Sequence, residues 1–238
     1  MLASFSHISS LPSAILPVKR LAALCHEHGV LVLIDGAHAP GQMAVDVKDV
    51  GADFYVGDGH KWMFTPKGVA FLWASEAVQD LLYGPVVDGQ GTFADWFSWQ
   101  GLDDYSKYLA VPTALQFRQW LGGERAIHSY IHELAVKGGA YLASRWNTSV
   151  MLPEHQYAAL VTVQVPCRNT AEDAAAGLPV CPADIQTTLY QRFNTFIPVT
   201  GLASQSTPYL RISVEVYNEL SDFEMLAGAI ESIIGARS

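Results

Sequence analysis

Residues 30–34, VLVLI, form a short run without a polar side chain and rich in β-branched residues. Such a run suits a strand buried on both faces of a parallel sheet, because helices cover both faces there and no polar–apolar alternation survives. Asp35 follows at the carboxyl end of this strand, where ligands of open α/β sheets gather. Residues 53–57 read as the next strand, and they too run out into polar groups, Asp58 and His60, with Lys61 immediately after. Two neighbouring strand ends are therefore expected to aim a carboxylate, two imidazoles (His38 and His60) and an amine at one region.

Around this pair the chain keeps a βαβ rhythm. Residues 1–5 predict a strand and 6–10 a loop. Pro17 opens a helix through Glu27, closed by Gly29, since proline fits a first helical turn and glycine a helix end. A short acidic helix is expected over 46–50, and an antiparallel strand over 68–74 after the Pro66-Lys67-Gly68 turn. Residues 75–104 read as loop-rich. Helical periodicity then predicts one helix over 105–121 and another over 124–146, separated by Gly122-Gly123, with a domain boundary at Tyr105. Strand 159–166, helix 183–193, strand 209–214 and helix 221–234 complete an α+β unit, and 169–179 read as an Ala/Gly-rich loop. The reading is thus two domains, 1–104 and 105–238.

Bulk properties mainly exclude. A formal net charge of −9 over 238 residues argues against nucleic acid or an anionic membrane surface as partner, since both demand clustered Lys and Arg. No apolar stretch approaches the ~20 residues that span a bilayer. Cys25, Cys167 and Cys181 follow no metal-ligand spacing, and their odd number argues against a disulfide framework. A reducing, cytoplasmic setting is the corresponding expectation.

The amine and the carboxylate suit pyridoxal 5'-phosphate. A lysine beside the cofactor aldehyde forms a Schiff base, and an aspartate facing the pyridine nitrogen keeps that nitrogen protonated, so the ring can accept electrons from the substrate. Taken singly, an Asp after a strand is a turn former and a Lys a solvated surface group; the pair in this order carries the argument. Trp62, Met63 and Phe64 follow Lys61 and predict an apolar wrapping around its amine.

The segments DGAHAPG, GADFYVGDGHKW, PKGVAFLW and YLRISVEVYN resemble class V pyridoxal phosphate-dependent aminotransferases, with greatest similarity to the isopenicillin N epimerase-like subgroup, from about His7 to about Leu226. The resemblance implies a partial aspartate aminotransferase-like α/β fold, with an incomplete, mainly parallel large-domain sheet followed by an α+β small domain; family members are longer, so the chain reads as a C-terminal portion. It implies Lys61 as the catalytic Schiff-base lysine, Asp35 as partner of the pyridine nitrogen, His38 near the phenolic oxygen, His60 near the phosphate, and Arg211 as receiver of the substrate carboxylate. A planar guanidinium matches that last role, because its fork pairs bidentately with a carboxylate. A homodimer and a small amino acid or amine substrate are implied as well.

Two positions depart from the family pattern. Asp58 stands where Ser or Asn is common, and a carboxylate there repels phosphate. Leu102 stands where relatives have a threonine that donates to phosphate across a dimer interface, and leucine has no donor. His7 is a further candidate for the pocket lining. Tyr217 and Asn218 are expected to form a corner before a helix capped by Ser221. His26-Glu27-His28 reads as a solvated helix end, because residues two apart on a helix face different ways. Residues 196–208 lack the cysteine of desulfurases, which disfavours that activity. Two competing readings stand beside the enzyme: a truncated, inactive homologue serving as an interaction module, and a hydrolytic metal site built from Asp35, His38, Asp58 and His60.

Overall fold

The structure is a computed structural model that describes residues 1–86, 91–98, 101–168, 179–201 and 208–235. The chain packs as two compact units, Met1–Ile8 with Leu16–Glu124, and Ser9–Ile15 with Arg125–Ser238.

In the first unit, β1 (Leu2–Ser6), α1 (Val18–Glu27), β2 (Leu31–Asp35), α2 (Val47–Val50), β3 (Phe54–Asp58), α3 (Gly59–Trp62) and β4 (Ala70–Ala74) follow in order. The sheet runs β1-β2-β3-β4. The first three strands are parallel and β4 is antiparallel to β3, as expected from the turn that precedes it. The β-branched run behaves as its composition demands: Val32 and Ile34 are fully buried against Val18 and Ala22 of α1. On the opposite face Leu31 and Leu33 pack against Phe54, Ala74 and Val78. Asp46 caps α2 by accepting hydrogen bonds from the Lys48 and Asp49 backbone N–H groups, satisfying donors that a helix start leaves free.

Beyond β4 the segment expected to be loop-rich contains a 3-10 turn at Glu76–Leu81 and a helix, α4 (Phe93–Ser98). The single helix expected over 105–121 is two, α5 (Ser106–Leu109) and α6 (Val111–Trp120). Pro112 lies in the first turn of α6, where its missing N–H ends the hydrogen-bond ladder arriving from α5.

Arg118 on α6 ties this part to the sheet. It is 1% exposed, and it donates to the carbonyls of Trp62 (2.7 Å) and Gly41 (3.1 Å) and by a bidentate fork to Glu124 (2.6 and 2.7 Å). Its guanidinium also stands 5.4 Å from the Phe64 ring centroid. Gly41 permits this junction: at φ +92° its Cβ would fall 2.5 Å from the Trp62 carbonyl oxygen. These contacts explain why the first packing unit reaches Glu124, whereas periodicity and composition divide the sequence at 104/105.

The second unit holds α7 (Glu124–Trp146, Glu124 itself packing with the first), β5 (Leu160–Gln164), α8 (Ile185–Phe193), β6 (Val199–Gly201), β7 (Pro208–Ser213) and α9 (Leu220–Gly235). Its antiparallel sheet runs β5-β7-β6; the short β6 was not expected from sequence. The Ser9–Ile15 segment belongs here because Ile15 N donates to the Gln156 carbonyl and Thr162 Oγ1 to that of Pro12. Asn218 forms the expected corner, accepting from Glu215 N and donating to Asp222. Ser221, expected to cap this helix, lies inside α9, and the first-turn Asp222 accepts from the Glu219 N–H that precedes it.

One expectation is overturned: Cys167 and Cys181 form a disulfide, and Cys25 is the free thiol. The odd count concealed a pair brought together by a β-bridge, in which Arg168 N donates to the Pro179 carbonyl and Cys181 N to that of Arg168. The loop expected over 169–179 lies outside the described residues, save Pro179. Among the described residues no helix is long and apolar enough to cross a membrane.

The Arg118 junction predicts a large local sensitivity. Arg118→Ala leaves two buried carbonyls without a donor and should lower the unfolding free energy by about 3 kcal/mol in urea titration; a loss below about 1 kcal/mol would show that the junction contributes little.

Candidate active site

Parallel pairing places the ends of β2 and β3 side by side, with Asp35 in register with Val56. Asp35 closes β2. Its carbonyl accepts from His7 N at 2.7 Å, its Oδ1 accepts from Ala37 N at 2.9 Å, and the residue is exposed. Beside it lies Tyr55, fully buried, with its hydroxyl 2.8 Å from His7 Nδ1. Burial, and after it the Asp35 charge, pushes the Tyr55 phenol well above its ordinary value, while burial lowers His7. Both shifts favour the uncharged forms, so the phenol keeps its proton and the contact joins two neutral rings. Gly36 leaves room for this contact, since a Cβ there would lie 2.2 Å from the Tyr55 hydroxyl.

His38 sits in the turn after β2, where the Trp62 indole N–H donates to its Nδ1 at 3.3 Å. Indole nitrogen only donates, so Nδ1 is an acceptor and the neutral ring carries its proton on Nε2. Trp62 is buried, which directs its neighbour Lys61 outward because successive helical residues point about 100° apart. The Lys61 side chain is accordingly 35% exposed, and the apolar wrapping expected from Trp62, Met63 and Phe64 does not enclose its amine.

What holds Lys61 is Asp58. At the N-cap of α3 an aspartate ordinarily accepts from backbone N–H groups, but Asp58 makes no such side-chain bond. The Val69 carbonyl accepts from both Gly59 N and His60 N instead, which leaves the Asp58 carboxylate free to turn to Lys61, at 2.8 Å from Nζ. The His60 ring donates from Nδ1 to the same Val69 carbonyl at 3.1 Å, and its Nε2 lies 3.9 Å from Asp58 Oδ2.

Asp35, His38, Asp58, His60 and Lys61 all belong to the first unit, on the ends of β2 and β3 and the turns that leave them. Among the described residues no group of three or more His, Cys, Asp or Glu side chains is arranged to hold a metal. His26, of the HEH triplet, pairs with Asp53 at 2.9 Å.

Arg211 lies on β7 in the second unit. Its Nη1 donates to Ser10 Oγ at 2.6 Å, its Nε is buried without a hydrogen-bond partner, and it helps to line a cavity of about 500 Å³ with Phe196 and Tyr217. A buried donor without an acceptor is costly unless a ligand supplies one. Leu102 is fully exposed. Of residues 196–208, where a desulfurase cysteine would stand, 202–207 fall outside the described part.

Sequence reasoning passed over Tyr55 and Ser10, and it took Trp62 for a wrapper of Lys61 where the structure makes it the donor to His38. Tyr55 looked like any strand aromatic, and only its register opposite Ile34 sets it beside the Asp35 turn. Ser10 is distant from Arg211 in sequence and meets it only through folding.

Burial of neutral His7 carries a pH dependence. Its folded value lies below 6.5, so the unfolded chain binds the proton more readily; the contribution is fully present above pH 6.5 and is lost as pH falls toward the folded value. Denaturant titrations should therefore show stability falling between pH 7.5 and 5, with a smaller fall in His7→Gln. An unchanged slope in the variant would contradict a buried neutral imidazole.

Comparison with known proteins extends this geometry. The aminotransferase class V family model matches residues 1–226. A probable chloroplastic L-cysteine desulfhydrase of Arabidopsis thaliana is 34% identical, over 98% of this chain and 51% of the relative. An isopenicillin N epimerase of Amycolatopsis lactamdurans is 30% identical, over 96% of the chain and 59% of the relative. The chain thus spans between half and three-fifths of the length of these two relatives. The apo cysteine desulfurase of Thermococcus onnurineus NA1 superposes with a TM-score of 0.75 at 21% identity, covering 99% of this chain and 60% of that one, so the two share a fold. The match of the family model over nearly the whole chain establishes that the chain belongs to the class V aminotransferase family, whose members depend on pyridoxal phosphate.

Proposed function

We propose that the chain carries the site of a pyridoxal 5'-phosphate-dependent enzyme, or part of one, acting at the α-carbon of an amino acid or related amine in the manner of an epimerase, aminotransferase or lyase. The observation that carries this reading is the β2–β3 register, which sets an aspartate at one strand end and a lysine one short turn beyond its neighbour.

The donor set fits the ring and aldehyde of such a cofactor. When bound, it supplies a carbonyl for Schiff-base chemistry and a conjugated ring that delocalises the electron pair left at the α-carbon. Asp35, exposed at the end of β2, would hold the proton of the pyridine nitrogen. His38 offers its Nε2 proton to a phenolic oxygen, a tautomer consistent with the Trp62 donation to Nδ1. Lys61 would supply the amine and would hold or move the α-proton of the substrate. His60, with Nδ1 donating to the Val69 carbonyl, would turn its Nε2 edge to the phosphate and donate to it as the imidazolium, the form in which both ring nitrogens carry protons. Arg211 would take the substrate carboxylate, which its unpartnered Nε supports.

In this reading residues 1–104 correspond to the C-terminal part of the cofactor-binding large domain and 105–238 to the small domain, with α5 and α6 packing on the former. A homodimer is part of it, supported by the exposed apolar side chains of Leu109, Leu115 and Trp120. So is a cytoplasmic setting, although the Cys167–Cys181 bridge is of a kind that persists where thiols are not kept reduced.

The test is covalent. Protein incubated with pyridoxal phosphate, reduced with borohydride and digested should carry the pyridoxyl group on Lys61, and Lys61→Ala should lose incorporation about tenfold. Labelling spread evenly over the other lysines would instead favour an inactive homologue serving as an interaction module.

A further inference from the structure

The Asp58–Lys61 pair does more than neutralise two surface charges. Asp58 occupies a cap position yet caps nothing with its side chain; the Val69 carbonyl takes the His60 N–H, one of the two that a cap side chain ordinarily serves, together with that of Gly59. Its carboxylate is thereby committed to the nucleophilic amine at 2.8 Å, and it also stands 3.9 Å from His60 Nε2. One anion thus faces both an amine and an imidazole.

We propose that Asp58 is a specificity determinant of the Lys61 site, disfavouring an aldehyde that bears a phosphate relative to an uncharged aldehyde of the same ring. The inference rests on the reading of Lys61 as the amine that captures a carbonyl. Condensation joins Nζ to the aldehyde carbon with loss of one water, and it starts only after the nitrogen has released a proton to solvent and left its ion pair. Opening that pair frees the Asp58 charge. With an uncharged ligand the freed carboxylate is simply hydrated; with a phosphorylated one the same site would hold a second anion beside a carboxylate that is only partly exposed, where like charges repel. The side chain of Asp58 therefore acts on the choice of ligand, and as a positioning group on the amine, without touching the reacting carbon.

The experiment uses two probes, pyridoxal and pyridoxal phosphate, at equal concentration with the full chain. Cyanoborohydride delivers hydride to the C=N carbon and fixes each adduct as a secondary amine, and mass spectrometry of the digest reads occupancy of Lys61 alone. The quantity compared is the phosphate-to-pyridoxal labelling ratio in wild type, Asp58→Asn and Asp58→Ser, so that differing solution reactivities of the probes cancel; thermal melts verify folding, and the second variant stands in if the first is unstable. The ratio should rise about tenfold in both neutral variants and stay near wild type in Asp58→Glu. Lys61 labelled with the same ratio in every variant would overturn the role of Asp58 and leave the lysine assignment standing. Lys61 unlabelled by either probe in every protein would overturn both.

Discussion

Parallel pairing of β2 with β3 is the constraint on which the rest of the site depends. Because both strands run the same way and are bonded in the register Asp35 to Val56, whatever follows each of them emerges at the same edge of the sheet. The apolar run of β2 enforces that pairing: Val32 and Ile34 have no exposed surface, and a slip of one residue would turn both toward the opposite face. Asp35 and the Asp58-to-Lys61 turn are therefore neighbours as a consequence of burial elsewhere, which lets polar groups be assembled without any of them contributing to stability.

Rigidity behind the site comes from two buried polar contacts. Tyr55 and His7 are hydrogen-bonded under the Asp35 turn, and Arg118 joins α6 to the Trp62 and Gly41 carbonyls. The second contact matters for chemistry because Trp62 is the residue after Lys61 and the donor to His38. One guanidinium thus restrains the backbone of the turn that presents both the amine and an imidazole, and α6 is bound to the sheet by the same contact.

Much of this was legible in the residues themselves. Strand ends, the Pro17 start of α1 and the whole of α7 follow from apolar periodicity and from proline and glycine positions. Asp35, His38, His60 and Lys61 were singled out from type and spacing and fall on the ends of β2 and β3 and the turns that leave them; the family resemblance itself agrees with the matched family model. What could not be read depends on contacts between residues distant in sequence. Lys61 looked wrapped by the aromatics that follow it, yet helical geometry turns Trp62 inward and the amine outward. Asp58 was read as a carboxylate standing where relatives carry a phosphate donor, and its pairing with Lys61 emerges only from the fold of the turn after β3. The Cys167–Cys181 bond was hidden by a third cysteine that takes no part.

The central claim is that β2 and β3 present Asp35 and Lys61 to opposite ends of one planar ring. A crystal structure of the protein grown with pyridoxal phosphate measures this directly. The account predicts continuous density from Lys61 Nζ to the ring, with the pyridine nitrogen at about 2.7–2.9 Å from the Asp35 carboxylate, a charge-assisted hydrogen bond. A ring bound to Lys61 with its nitrogen turned away from Asp35, or density at another lysine, would contradict it.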